Sequence, residues 1–332
     1  MQREALAFWL REPGVGEIRR TTLAQPRPED VAVRTLRSAV SRGTESLVFG
    51  GHVPPSQYDV MRAPFQEGDF PGPVKYGYLN VGLVEDGPAH LRGSTVFCLH
   101  PHQTAYVVPA SAVIVVPEDV PVPRAVLAGI VETAVNALWD ARPLVGDRVA
   151  VVGAGAVGCC LARLLTRIPG VSVSLVDVDP ARADVAARLE IDFALPDQAA
   201  GGCDLVFHTS ATSAGLQRSL ELLAPEGTVI ELSWYGDEKT EVSLGGSFHS
   251  GRLSVRASQV GMVSPSRRDR RTTADRLALA LELLRDPAFD SLLAGESPFE
   301  TLPVVMPRLV SRELPTLCHA LTYDTVEVPC SA

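Results

Sequence analysis

GDRVAVVGAGAVG occupies residues 146–158, and its reading decides the fold of the whole chain. The Val and Ala run suits a buried strand of a parallel sheet. Gly153, Gly155 and Gly158 then follow in a GxGxxG pattern at the start of an apolar, helix-like stretch. The first glycine permits a tight turn, the second lets a pyrophosphate approach the backbone, and the third lets the helix lie close on the strand. The helix N-terminus, at Ala156 and Val157, offers free N–H groups and a positive dipole end to phosphates. VSVSLVDVD, residues 171–179, holds the next strand, at whose end stands Asp177, nineteen positions after Gly158. A carboxylate there accepts ribose hydroxyls and repels a 2′-phosphate, which favours NAD over NADP. FAD and S-adenosylmethionine sites share the glycine pattern. Arg182 is open to two readings: it softens the preference for NAD, or it is a surface helix arginine.

Working outward, the segment from about residue 125 alternates helices and apolar strands. AVLAGIVETAVNALWDA reads as a helix, and AVGCCLARLLTRI has apolar residues at helical spacing. Asp179 caps a helix with Pro180 at its first position. CDLVFHTSA, a helix over 213–223, the turn Pro225-Glu226-Gly227 and TVIELSWYG continue the rhythm of a doubly wound parallel sheet. Before residue 123 the chain is short β-like runs (VAVRTL, KYGYLNVGLVE, STVFCL, TAYVV, AVIVV) separated by Pro and Gly, which reads as a β-rich, barrel-like domain. After about Thr272 come a helix, a Pro-rich stretch and the strand-like ALTYDTVEV; this remainder is too short to fold alone and is expected to pack back on the first domain.

With 332 residues, 46% hydrophobic and 21% charged, the chain has the composition of a folded globular protein of about two domains. A net charge of −9 presents no basic surface for nucleic acid or anionic lipid. Apolar runs are interrupted well before the ~20 residues a bilayer needs, so no membrane span is expected. The start, MQREALAFWLREPG, has charges on both sides of a short apolar patch and no long apolar region, so the expected location is cytoplasmic. Cys98, Cys159, Cys160, Cys203, Cys318 and Cys330 form no CxxC pair and read as buried small hydrophobes. Lys75 and Lys239 are the only lysines among the 30 basic residues.

These features together resemble the medium-chain dehydrogenase/reductase superfamily over essentially the whole chain. GDRVAVVGAGAVG, ETAVNALW and HSGRLSVRASQVG carry the resemblance. It implies an α/β fold: a GroES-like β-rich catalytic domain over 1–127, a Rossmann doubly wound parallel-sheet domain over 128–259, and a C-terminal return over 260–332 packing on the catalytic domain. It also implies Thr133, Ser210 and the 258–260 strand end, with Ser258, around nicotinamide and its ribose. A homodimer through the edge strand at 253–257 is expected on the same ground.

Zinc-dependent members of that superfamily carry three ligands, and here all three positions differ. The first falls on Ser41 or Arg42, depending on the side from which SRGTE is aligned; the second is Tyr78, in GYLNVG, followed by Leu79; the third is Gly129. None is a good zinc ligand. VFCLHPHQTAYVV runs straight through the place of the four-cysteine structural lobe. No metal is therefore expected. SxGTExL and GYxxVGxV are locally similar to the branch that includes bacteriochlorophyllide a dehydrogenase, which implies interconversion of a secondary alcohol and a ketone.

Without a metal, other groups must move the alcohol proton and stabilise the developing alkoxide. Tyr78 offers a phenol, and Lys75 is expected to lower its pKa by charge if residues 75–82 form a loop. Thr44 matches the hydroxyl that relays the substrate proton in the superfamily, and Glu45 the acidic residue beside it. Arg42 is read as a group for an anionic substrate or a carbonyl. His102 and His100 are candidate acid/base groups, the alternative being that both are simply solvated. Two other functions are open: an NAD(P)H-dependent double-bond or quinone reductase, and a non-catalytic NAD-binding scaffold or sensor. The substrate is a small molecule whose identity depends on the 53–73 insertion.

Overall fold

The computed structural model describes residues 3–323. Cys330 and the end of ALTYDTVEV lie outside the described residues. The chain divides into two compact units: one holds the described residues up to Gly129, Leu281–Arg285 and the residues from Leu293; the other holds Ile130–Ala280 and Asp286–Leu292. The C-terminal segment expected to return from residue 260 is thus shared by both units. Within the second unit Arg276, 1% exposed, pairs with Glu132 and bonds the Asn136 side chain and the Val260 and Met262 carbonyls, while Asp286 binds Arg163 at 2.8 Å. Within the first, Arg124 donates to Leu284 O and Arg285 pairs with Asp119.

In the second unit six parallel strands lie in the order Asp192–Ala194, Ser172–Val176, Arg148–Val152, Cys203–His208, Leu223–Glu231, Ser254–Ala257. The chain winds outward one way from Arg148–Val152 and the other way from Cys203–His208, leaving a crevice at the carboxyl ends of these two strands, where open α/β sheets bind ligands. Val149, Ala150, Val151 and Val152 are buried, as expected for a central parallel strand covered on both faces. Local boundaries differ from the sequence reading. The 125–141 helix is two, Val122–Ala125 and Ala128–Ala141. The helix after Asp177 begins at Arg182, because Asp179 Oδ1 accepts Ala181 N–H in a turn of its own.

In the first unit, strand Asp30–Val40 is the hub: it pairs antiparallel with Asn80–Asp86, Ala105–Pro109 and Cys318–Thr322. Among the described residues Leu293–Pro298, Thr95–Cys98 and Val113–Val115 complete this seven-stranded sheet, and Glu4–Glu12 centres a separate four-stranded one. Val31, Val33, Val84, Val96, Cys98, Tyr106 and Val108 form one apolar cluster, each large side chain contributing about 1.5–3 kcal/mol by burial. Helix Arg42–Gly50 follows the hub strand directly, with Ser41 at its N-cap.

Candidate functional site

The glycine turn of the second unit has the geometry its sequence requires. Gly153 takes φ +114, and a Cβ on it would stand 2.7 Å from Ser210 N; a Cβ on Gly158 would stand 2.0 Å from Gly153 O. No other residue fits either position without moving backbone. A Cβ on Gly155, by contrast, would meet nothing within 4 Å. Helix Ala156–Leu165 starts there with no side chain capping it, so the first N–H groups, at Ala156 and Val157, stay available to a phosphate. Asp177 is fixed by backbone: its Oδ2 accepts Ala154 N–H at 2.6 Å and its Oδ1 accepts Asp179 N–H at 2.9 Å. Each oxygen keeps lone-pair capacity for a hydroxyl. Turn and carboxylate are thereby held as one piece. Arg182 pairs with Asp179 at 3.3 Å. Ser258 donates to Asp140 Oδ2 at 2.7 Å, on the helix that also carries Thr133, and Ser210 lies against the turn beside Gly153.

The first unit gathers a second group of expected residues. Gly77, at φ +124, packs on the ring of His102, where a Cβ would come within 2.9 Å of the imidazole, and so sets the exit angle of Tyr78. The Tyr78 hydroxyl donates to Ser41 Oγ at 2.7 Å and interacts with Thr44. Ser41 therefore does not cap its helix by side chain; Glu45 reaches back instead, its Oε1 accepting Ser41 N–H at 2.7 Å. Glu45 Oε2 accepts from His102 Nε2 at 2.9 Å, with both side chains buried. On the other side of the ring, His102 Nδ1 lies 2.8 Å from Ser38 Oγ, which lies 2.7 Å from the Tyr323 hydroxyl.

Burial is the main force on Tyr78, and with the nearby Glu45 charge it outweighs the Ser41 and Thr44 bonds, so the phenol is pushed up to about 12. The expectation that Lys75 lowers it is corrected. Lys75 lies at the end of the short strand Val74–Lys75, and its ammonium, 1% exposed, is held by Glu67 and by Gln103 Oε1 at 2.7 Å. It does not touch Tyr78, and Tyr78 is held neutral rather than ionised. His100 is also not a solvated loop residue. It stacks on Tyr106 at 3.9 Å, and burial lowers its pKa to about 3, so it stays neutral in ordinary conditions.

Among the described residues no three His, Cys, Asp or Glu side chains group so as to hold a metal ion. The residues read in sequence against zinc ligands are Ser41 or Arg42, Tyr78 and Gly129. A Cβ on Gly129 would lie 2.6 Å from Leu79 Cδ2, and Leu79 is fully buried. That space is filled with hydrocarbon. Ser38, Tyr323 and the carboxyl-end pair His208 and Glu231 were not singled out by the sequence reading. Ser38 sits in the same run as Ser41 and Glu45, but only the pairing of Cys318–Thr322 with the hub strand brings Tyr323 to it.

No family model matches the chain, and no curated protein matches it. Solved structures do. L-idonate 5-dehydrogenase from Escherichia coli K-12 superposes with a TM-score of 0.80 at 15% identity, covering 97% of this chain and 99% of that one. A short chain alcohol dehydrogenase from E. coli CFT073, complexed with NADH, gives 0.77 at 16% identity over 96% and 99%. 2R,3R-butanediol dehydrogenase from Bacillus subtilis gives 0.77 at 14% identity over 96% and 100%. At such identities the likeness shows the fold: a GroES-like β-rich domain and a Rossmann domain, in an α/β chain of the same length.

Proposed function

We propose that this chain is a zinc-independent, NAD-dependent oxidoreductase that interconverts a secondary alcohol and a ketone on a small molecule. The observation that carries the proposal is the Gly153–Gly155–Gly158 turn bonded to Asp177 at the carboxyl ends of a doubly wound sheet. The turn and the helix start take the pyrophosphate, and Asp177 takes ribose hydroxyls and repels a 2′-phosphate, which is the ground for NAD over NADP. The nicotinamide, when bound, accepts or supplies the hydride. Thr133 and Ser258 are assigned to its surroundings. The donor set of Ser41 or Arg42, Tyr78 and Gly129 does not fit zinc, so no step passes through a metal.

The protein's own part is proton handling. In the reducing direction Tyr78, protonated, donates to the carbonyl oxygen and takes on its developing charge. Ser41 and Thr44 hold the phenol. Glu45 and His102 form the buried pair that holds the Ser41 backbone in place beside the phenol, with Ser38 and Tyr323 as the hydroxyl line behind them. Lys75 fixes the segment before Tyr78 through Glu67 and Gln103. A panel of secondary alcohols with NAD and of ketones with NADH tests this. Turnover by metal-analysed protein, lost in Tyr78→Phe, supports it. Turnover confined to activated double bonds with NADPH would favour the alternative reductase, and nucleotide binding without any turnover would favour a scaffold.

Among the described residues the exposed edge strand Ser254–Ala257 pairs on one side only, with Leu223–Glu231. We propose that a second copy pairs there, as two-fold dimers extend sheets edge to edge. A single-chain mass in sedimentation would overturn that.

A further inference from the structure

The carboxyl ends of strands Cys203–His208 and Leu223–Glu231 carry a buried polar line that the proposed reaction does not use. His208, fully buried, holds Glu231 Oε2 with Nδ1 at 2.7 Å and Ser210 Oγ with Nε2 at 2.7 Å. Glu231 also accepts Ser233 N–H at 2.7 Å and Tyr235 O–H at 3.0 Å. These donors, His208 first, lower the Glu231 pKa despite its burial, so the carboxylate is ionised and only accepts. Nδ1 must then carry the imidazole proton. Nε2 and Ser210 Oγ share the next bond, and Ser210 Oγ lies 3.0 Å from Thr212 Oγ1, whose oxygen accepts Gly215 N–H.

The residues that follow His208 bear directly on the glycine turn. Thr209 N–H donates to Val152 O at 2.8 Å, and Thr209 Oγ1 donates to Gly153 O at 2.8 Å. Gly153 has no room for a Cβ because Ser210 N stands behind it, and Gly158 would meet Thr209 Oγ1 at 2.8 Å. Gly215 closes the other side, a Cβ there falling 2.1 Å from Ser210 Oγ. Ser210 Oγ, partly exposed, is thus held between His208 Nε2 and Thr212 Oγ1, which suits a strut. We infer that His208 is a positioning residue for the dinucleotide: braced by Glu231, it fixes Thr209 and Ser210 as the back wall that holds the Gly153 turn in its pyrophosphate-accepting shape. The inference rests on the dinucleotide reading above.

The test is NADH titration of the full chain, followed by energy transfer from tryptophan, with circular dichroism confirming that each variant is folded. His208→Ala is expected to raise the NADH Kd about tenfold, the loss of one well-placed hydrogen bond. His208→Gln, whose amide can still bond Ser210, is expected to return to within about threefold of the unaltered chain. Ser210→Ala, which leaves the His208–Glu231 pair intact, is expected to weaken NADH as well and serves if His208→Ala does not fold. Unchanged NADH affinity in folded His208→Ala or in Ser210→Ala overturns the inference and leaves the proposed function standing. Failure of His208→Gln to recover overturns the bond to Ser210 as the brace of the turn. If the unaltered chain binds neither NADH nor NADPH, the dinucleotide reading itself falls, and this inference with it.

Discussion

A phenol pushed up to about 12 is a different reagent from one at 10. Below pH 10 Tyr78 keeps its proton before the reaction, the state that the proposed acid role in carbonyl reduction needs, whereas alcohol oxidation, the reverse step, starts from the ionised fraction and is expected to rise with pH. Tyr78→Phe is expected to lower kcat for ketone reduction by about 10²–10⁴-fold while leaving NADH affinity unchanged, read by steady-state rates beside a nucleotide titration. The reduction rate should show no basic limb from Tyr78 near pH 10; a limb there that vanishes in Tyr78→Phe would contradict the assignment. His100 makes the opposite case. Its folded pKa of about 3 lies below the ordinary 6.5, so the unfolded chain takes up a proton that the folded chain refuses. Its contribution is full above pH 6.5 and is lost as the pH falls toward 3, with a limiting slope of about 1.4 kcal/mol per unit. His100→Phe, which keeps a ring against Tyr106, is expected to flatten the fall of denaturant stability between about pH 6.5 and about pH 4. An unchanged acid limb would show that His100 is not its source.

At the scale of elements, the three glycines of one turn separate fold from binding. Gly153 and Gly158 meet backbone, so alanine at either strains the sheet and helix; Gly155 has φ −77 and open space around it. Gly155→Ala is therefore expected to leave the melting temperature unchanged or slightly raised while weakening NADH by about tenfold or more, because the added methyl stands where phosphate must approach. Calorimetry and the NADH titration read the two effects separately, and undiminished NADH affinity would remove Gly155 from the phosphate path. This turn was legible in sequence because its constraint is local: a few consecutive φ angles and one helix start. The line of hydroxyls behind Glu45 was not. Glu45 and His102 are 57 residues apart, and Ser38 and Tyr323 are 285 apart, so strand pairing alone joins them. The reading of Lys75 failed for the converse reason. Nearness in sequence suggested a charge effect on Tyr78, whereas the strand Val74–Lys75 carries the ammonium to Glu67 and Gln103. His100 was misjudged because a loop in sequence need not be a surface in space.

At the scale of the whole molecule, the shift of texture near residue 125 correctly signalled an α/β chain with a β-rich part and a doubly wound part, since alternation of period two and period 3.6 is a global pattern. How the tail is shared between two units was not readable, because it depends on single buried ion pairs. Arg276 and Glu132 are such a pair, 1% and 5% exposed at their side chains. Arg276→Ala leaves a buried carboxylate unpaired and is expected to destabilise the second unit by about 3–5 kcal/mol, measured as a lowered denaturant midpoint for its transition. A change under about 1 kcal/mol would show that the pair is solvated in solution. The central claim, a dinucleotide site that works without zinc, is tested most directly by titrating metal-analysed, zinc-free protein with NADH and with NADPH and following energy transfer from tryptophan. Saturable binding by the metal-free protein, tighter for NADH than for NADPH, is the expected result. Absence of binding to either nucleotide, or binding that requires stoichiometric zinc, would contradict it.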